Sequence, residues 1–112
     1  MAVRVATIGV GSMGRHHVRV YNELPQANLI GMSDVDMSAR SLAEEYGISF
    51  YSDYHALLKD SPELVSIAVP TSLHHEVALA ALKAGCHILV EKPISDSLER
   101  AEEICTRAEQ LN

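Results

Sequence analysis

Apolar runs of strand length alternate with helix-period segments along the whole chain. Val3–Ile8 is a β-branched run closed by Gly9, the pattern of a strand buried on both faces. A helix is predicted over Met13–Leu24, stopped by Pro25, and a second strand over Ala27–Ser33, ending at Asp34. Ala39, Leu42, Ala43 and Tyr46 recur at helical spacing, with Gly47 placed to end that helix in a left-handed cap. Ile48–Tyr51 reads as a short edge strand and His55–Lys59 as a short helix. Leu64–Val69, running into Pro70, is the fourth strand, followed by a helix from about Ser72 to Ala84 that ends at Gly85. His87–Val90 is the fifth strand. A last helix from about Ser97 places Leu98, Ala101, Ile104, Cys105, Ala108 and Leu111 on one face.

Strand–helix alternation with strands of the buried type implies an α/β fold, a doubly wound parallel sheet of Rossmann type. The expected strand order is 3-2-1-4-5, with a ligand crevice at the carboxyl ends, where the order reverses between strands 1 and 4. The 112 residues are the size of one domain. The expectation is a single dinucleotide-binding domain over residues 1–112, incomplete at its C-terminal end, because the sequence stops after the helix that should lead into a sixth strand. Strand 5 would then present an open edge, with self-association there expected unless the last helix covers it.

Between the first strand and the first helix stands Gly9-Val10-Gly11-Ser12-Met13-Gly14. A GxGxxG alone is a weak signal; following a strand and opening a helix, it is the dinucleotide fingerprint. Gly9 permits the tight turn, Gly11 lets the backbone approach a pyrophosphate, and Gly14 lets helix and strand pack closely. The amides from about Ser12 and Met13 would then face the phosphates, with the positive end of the helix behind them. Asp34 lies twenty residues beyond Gly14, where a carboxylate accepts hydrogen bonds from the adenosine ribose. That carboxylate stands where the 2′-phosphate of NADP would lie, so NAD is expected to be preferred over NADP. Arg40 is the one nearby cation that could soften the preference. A kinase-type P-loop is excluded because no GK[ST] follows the glycines.

Composition narrows the partners. Nine basic against fifteen acidic residues give a net charge of −6, which argues against nucleic acid, since a phosphate backbone needs a basic face. Apolar runs are strand-sized, so no membrane span is expected. Cys86 and Cys105 lack zinc-site spacing and read as reduced core thiols of a cytoplasmic protein. Six histidines invite a metal hypothesis. His75-Glu76 begins like HExxH, but Leu79 stands where the second ligand belongs. The adjacent pairs His16–His17 and His74–His75 diverge on a helix, so no metal is expected. Tyr46, Tyr51 and Tyr54 read as packing residues around strand 3.

The second half of the chain carries a more specific pattern. Val69-Pro70-Thr71-Ser72-Leu73-His74 and Ala84-Gly85-Cys86-His87-Ile88-Leu89-Val90-Glu91-Lys92-Pro93 closely resemble the Gfo/Idh/MocA oxidoreductases, relatives of glucose–fructose oxidoreductase and inositol 2-dehydrogenase. The resemblance covers essentially all 112 residues and departs at Cys86, where Lys or Arg is frequent. It implies that Val69, Pro70, Thr71 and His74 line the nicotinamide side of the crevice and that Glu91 lies near the nicotinamide and its ribose. It also implies that Lys92, on a Lys92–Pro93 bond that is often cis in this family, faces the substrate carbon that exchanges hydride. The wording around Val69–His75 is most similar to nucleotide-sugar members. The family's larger second domain, which supplies the substrate pocket and a histidine or aspartate partner for the lysine, has no counterpart in these residues. The isolated chain is therefore expected to bind cofactor without turnover. A sugar, cyclitol or nucleotide-sugar dehydrogenase is the leading reading. A stand-alone dinucleotide-binding or sensor module is the alternative, since Lys92 distinguishes them only in part. A methyltransferase also uses a glycine turn and an acid after strand 2, but Glu91-Lys92-Pro93 speaks against it.

Overall fold

The computed structural model describes residues 2–90, 95 and 97–111. Five strands, β1 (Val3–Ile8), β2 (Ala27–Ser33), β3 (Ser49–Tyr51), β4 (Leu64–Ile67) and β5 (His87–Val90), form one sheet in the order β3-β2-β1-β4-β5. Every pairing is parallel, as the buried-strand pattern required. The helices are α1 (Ser12–Glu23), α2 (Arg40–Tyr46), α3 (Tyr54–Leu58), α4 (His74–Lys83) and α5 (Leu98–Leu111).

Alternate residues of the central strands feed two cores. Ala6, Ile8, Val65 and Ile67 meet Leu57, Val77, Ala78, Ala81 and Ile104 from α3, α4 and α5. Val5, Leu29 and Met32 meet Val18, Ala39, Leu42 and Ala43 on the α1–α2 side. Full burial of a side chain such as Ile8 or Ile67 contributes roughly 1.5–3 kcal/mol. The sheet is therefore a double-faced core, and it holds its carboxyl edge rigid. On the α1 side buried polar groups interrupt the apolar packing, His17 and Ser66 among them. Ser66 Oγ lies 2.7 Å from His17 Nδ1 and accepts the Tyr21 hydroxyl at 3.2 Å, tying α1 to β4.

Several boundaries move for reasons visible in the backbone. The fourth strand ends at Ile67 rather than Val69, because Pro70 has no amide to continue a ladder. The following helix begins as a 3-10 turn, Thr71–Leu73, in which the Leu73 amide reaches the Pro70 carbonyl at 2.8 Å; α-helix starts only at His74. The Ile48 amide bonds the Ala43 carbonyl at 3.0 Å as part of the Gly47 cap, which delays β3 to Ser49.

The last helix differs from the expected face. Ile104 is buried and Ala101 and Ala108 half-buried, but Leu98 is 76% exposed and Cys105 is exposed. It packs on one side only, so a stripe at i, i+3 and i+7 suffices. Cys86 alone is a core thiol, and burial pushes its pKa up; placing Cys105 in the core was wrong. Among the described residues β5 pairs with β4 and with no other strand, and Leu89 remains 48% exposed. No helix among the described residues is long and apolar enough to cross a membrane.

Candidate dinucleotide site

The turn between β1 and α1 is shaped by three glycines, each for a different reason. Gly9 has φ +91°, and a Cβ there would stand 2.7 Å from the Ala68 carbonyl carbon and oxygen. A Cβ on Gly14 would overlap the Gly9 carbonyl oxygen, so the helix can lie against the turn only as glycine. Gly11 differs from both: nothing of the protein lies within 4 Å of a Cβ built on it. The first two glycines thus close backbone on backbone, and the third faces open space.

Gly11 is also the N-cap of α1, where no side chain caps the helix and no acidic residue stands in its first turn. The first amides of a helix have no intrahelical acceptor, and here they are left to whatever occupies that space. Together with the helix dipole they suit an anion.

Asp34, at the end of β2, is half-buried and held at both oxygens. Its Oδ2 accepts the Val10 amide at 2.9 Å, and its Oδ1 accepts the Asp36 amide at 2.8 Å. The carboxylate therefore ties the glycine turn to β2 before any ligand arrives. Each carboxylate oxygen has a second lone pair, so donors such as ribose hydroxyls can still be accepted. Arg40, the cation that could have compensated, lies 3.7 Å from Glu44 one turn along α2.

These elements border a crevice of about 740 Å³ at the carboxyl edge of the sheet, within the ~300–1,000 Å³ range of small-molecule sites. One wall is Ile8, Gly9, Gly11 and Met13 with Ser33, Asp34 and Val35; the facing wall is Ala68, Val69 and Pro70 with Leu73, Glu76 and Val77. Ser52, Asp53 and Tyr54 close the β3 end.

Of the residues expected from sequence, Gly9, Gly11, Met13, Asp34, Val69 and Pro70 line this crevice. Ser12 opens α1, and Gly14 is buried beneath the turn. Thr71 opens the 3-10 turn, and His74 is buried, with its Nε2–H donating to the Val69 carbonyl at 2.9 Å. His74 thus holds the shape of the wall that Val69 and Pro70 present. Glu91, Lys92 and Pro93, including the Lys92–Pro93 bond, lie outside the described residues.

Sequence reasoning missed the β3 end. Tyr54 packs against the core, as expected of the tyrosines, but it also lines the crevice. Burial, and then the charges of Glu76 and Asp53, push its pKa up. Asp53 could have been found: its carboxylate accepts the His55 amide at 2.9 Å, an N-cap signal two residues ahead of the predicted helix. No cluster of three potential metal ligands exists among the described residues. His16 is exposed beside Arg19, and His75 lies 2.7 Å from Glu103 on α5.

The residues present fit a dinucleotide: open space at Gly11, uncapped amides on α1, a fixed carboxylate at Asp34 and a crevice of suitable size.

The chain's likeness to known proteins agrees. The sequence model of the Gfo/Idh/MocA group, described as an oxidoreductase family with an NAD-binding Rossmann fold, matches residues 3–112. A D-glucoside 3-dehydrogenase of Escherichia coli is 39% identical over 97% of the chain, which spans 32% of that protein. A UDP-N-acetylglucosamine 3-dehydrogenase of Acidithiobacillus ferrooxidans is 36% identical over 96% of the chain, spanning 34% of that protein. The solved structure of that enzyme superimposes with a TM-score of 0.90 at 35% identity, covering 99% of this chain and 36% of its own. GenD2 from gentamicin A biosynthesis, solved in complex with NAD, superimposes with a TM-score of 0.94 at 28% identity, covering 98% of this chain and 32% of its own. The chain thus spans about a third of the length of these relatives.

Proposed function

The chain belongs to the Gfo/Idh/MocA oxidoreductase family, and we propose that it is the NAD-preferring cofactor domain of a dehydrogenase acting on a secondary alcohol of a sugar, cyclitol or nucleotide sugar. The observation that carries the cofactor preference is Asp34, whose two oxygens are fixed by the Val10 and Asp36 amides. A carboxylate so held cannot swing away from a 2′-phosphate. Two unit charges about 4 Å apart repel by up to ~4 kcal/mol at an effective dielectric near 20; at this wet, salt-screened rim about 1–2 kcal/mol survives. The lost ribose hydrogen bonds add to it. On α2, Arg40 pairs with Glu44 at 3.7 Å. NAD is therefore favoured by at least about tenfold. Calorimetric titration of both cofactors into wild type and Asp34→Ser tests this. Equal wild-type affinities, or the same ratio in the variant, would remove Asp34 from the role.

The nicotinamide supplies hydride chemistry when bound. The substrate class rests on the relatives, whose names are those of sugar and nucleotide-sugar dehydrogenases. Lys92, carried over from the family resemblance, is assigned to hydrogen-bond the reacting hydroxyl or ketone. In a full-length protein carrying this domain, Lys92→Ala should lower turnover ~10²–10⁴-fold with cofactor affinity nearly unchanged. Residues 1–112 alone should bind cofactor without turnover. The chain is assigned to the cytoplasm on its reduced cysteines. The β5 edge, with Leu89 half-exposed, is assigned to self-association; a clean monomer in sedimentation over a wide concentration range would reject that.

A further inference from the structure

The fold leaves two carboxylates in the crevice, Asp53 and Glu76, that neither phosphate nor ribose binding uses. Glu76 lies on α4 in the wall facing the glycine turn, and among the described residues it accepts no hydrogen bond and pairs with no lysine or arginine. We propose that Glu76 reads the 6-amino group of the adenine and makes the crevice selective for adenine over purines lacking that donor. The proposal rests on the dinucleotide reading above.

Direction along the sheet places the base. The glycine turn sits on β1 and the ribose carboxylate on β2, so a base joined to that ribose extends beyond β2 toward the β3 end. Tyr54, Val35, Leu73 and Val77 supply apolar lining to the crevice, surface suited to the faces of a flat ring. Val35 is 89% exposed and Leu73 43% exposed, surface that a stacked base would cover. Glu76 follows Leu73 by three residues and precedes Val77, and all three line the crevice together with Asp53 and Tyr54.

The chemistry of the rim then selects the contact. A carboxylate is an acceptor only. Adenine's ring nitrogens are acceptors too, and its amino group is the donor. The 6-amino group is therefore the part of the base that can face Glu76, whereas a 6-oxo purine turns an acceptor toward it. Asp53 is the lesser candidate, since one of its oxygens is engaged in capping α3 at the His55 amide. Its place is to hold the start of α3, and so Tyr54, in position. Glu76 sits in the first turn of α4, where a helix favours a carboxylate.

The test compares NAD, nicotinamide hypoxanthine dinucleotide and 1,N6-etheno-NAD by calorimetric titration into wild type and Glu76→Gln, with thermal melts to show that the exposed substitution leaves the fold intact. Wild type should bind both analogues at least about tenfold more weakly than NAD, a discrimination moderated by the open rim. In Glu76→Gln the hypoxanthine penalty should collapse toward equality, because the side-chain amide can turn its NH₂ to a 6-oxo group. Equal wild-type affinities, or an unchanged ratio in the variant while NAD still binds, would overturn the role of Glu76 and leave the dinucleotide site standing. Failure of all three to bind wild type would overturn both.

Discussion

Two strand-to-helix crossings flank the crevice, and they are built in opposite ways. Between β1 and α1 the turn is glycine, the helix start has no capping side chain, and no carboxylate stands in the first turn. Between β4 and α4 the turn is closed by Pro70, a 3-10 step and the buried His74 holding the Val69 carbonyl, and Glu76 occupies the first turn. Neither helix start has a side-chain cap, but the first leaves its positive end open to an anion, whereas the second sets the Glu76 charge in its own first turn. The phosphates of a dinucleotide laid across the edge would therefore be favoured at α1 and repelled by Glu76 at the β4 side.

The sharpest way to break this contrast is at the glycines. In Gly9→Ala the Cβ would stand 2.7 Å from the Ala68 carbonyl at a φ of +91°. Destabilisation of roughly 2–4 kcal/mol is expected, from strain and backbone overlap together. Gly11→Ala meets nothing of the protein and has φ −70°, so its denaturation midpoint should barely move. Its methyl enters the ligand's space instead, and dinucleotide affinity should fall at least about tenfold. Urea unfolding beside calorimetry separates the two. If both variants lost stability equally, Gly11 would be structural rather than a phosphate contact.

What was legible in the sequence divides along the same line. The glycine turn, Asp34 and the strand order were readable because each depends on local backbone chemistry or on the alternation of buried strands. The Tyr54–Glu76 end of the crevice was not. It is made by the convergence of α3 and α4, segments twenty residues apart with no shared periodicity. Leu98 and Cys105 were misplaced for a related reason: their spacing fits a wide apolar stripe, but α5 buries only the narrow face centred on Ile104. His74 shows a third limit. Its type suggests chemistry, whereas its buried hydrogen bond to Val69 is a matter of wall shape.

Moving a carboxylate from one crossing to the other gives a second, intermediate effect. Met13 is 48% exposed in the first turn of α1 and lines the crevice. Met13→Glu should stabilise the isolated fold by about 0.3–1 kcal/mol through the helix dipole. It should also weaken dinucleotide binding by about tenfold, since a charge now competes for the phosphate position. Opposite signs for melting temperature and affinity are the signature. Unchanged affinity would mean that the α1 terminus is not where the phosphates bind.

The smallest effect concerns a third crossing, from β2 to α2, which is closed by its own side chain. Asp36 accepts both the Ser38 amide at 3.0 Å and the Ser38 hydroxyl at 2.8 Å, capping the 3-10 turn Met37–Ala39. The hydroxyl bond first, and the amide bond after it, hold its pKa below the ordinary value of 3.8. A carboxyl group whose folded value is depressed contributes stability above its unfolded value and loses it as pH falls through the folded one. The contribution is thus intact at neutral pH and disappears below about pH 4, within the acid limb of unfolding. Because the group is fully exposed, the loss is slight. Asp36→Asn keeps a capping side chain without the titration, so the variant should match wild type more closely at pH 3 than at pH 7. Melting temperatures across that range read the difference. An identical offset at both pH values would show that the cap acts through geometry alone.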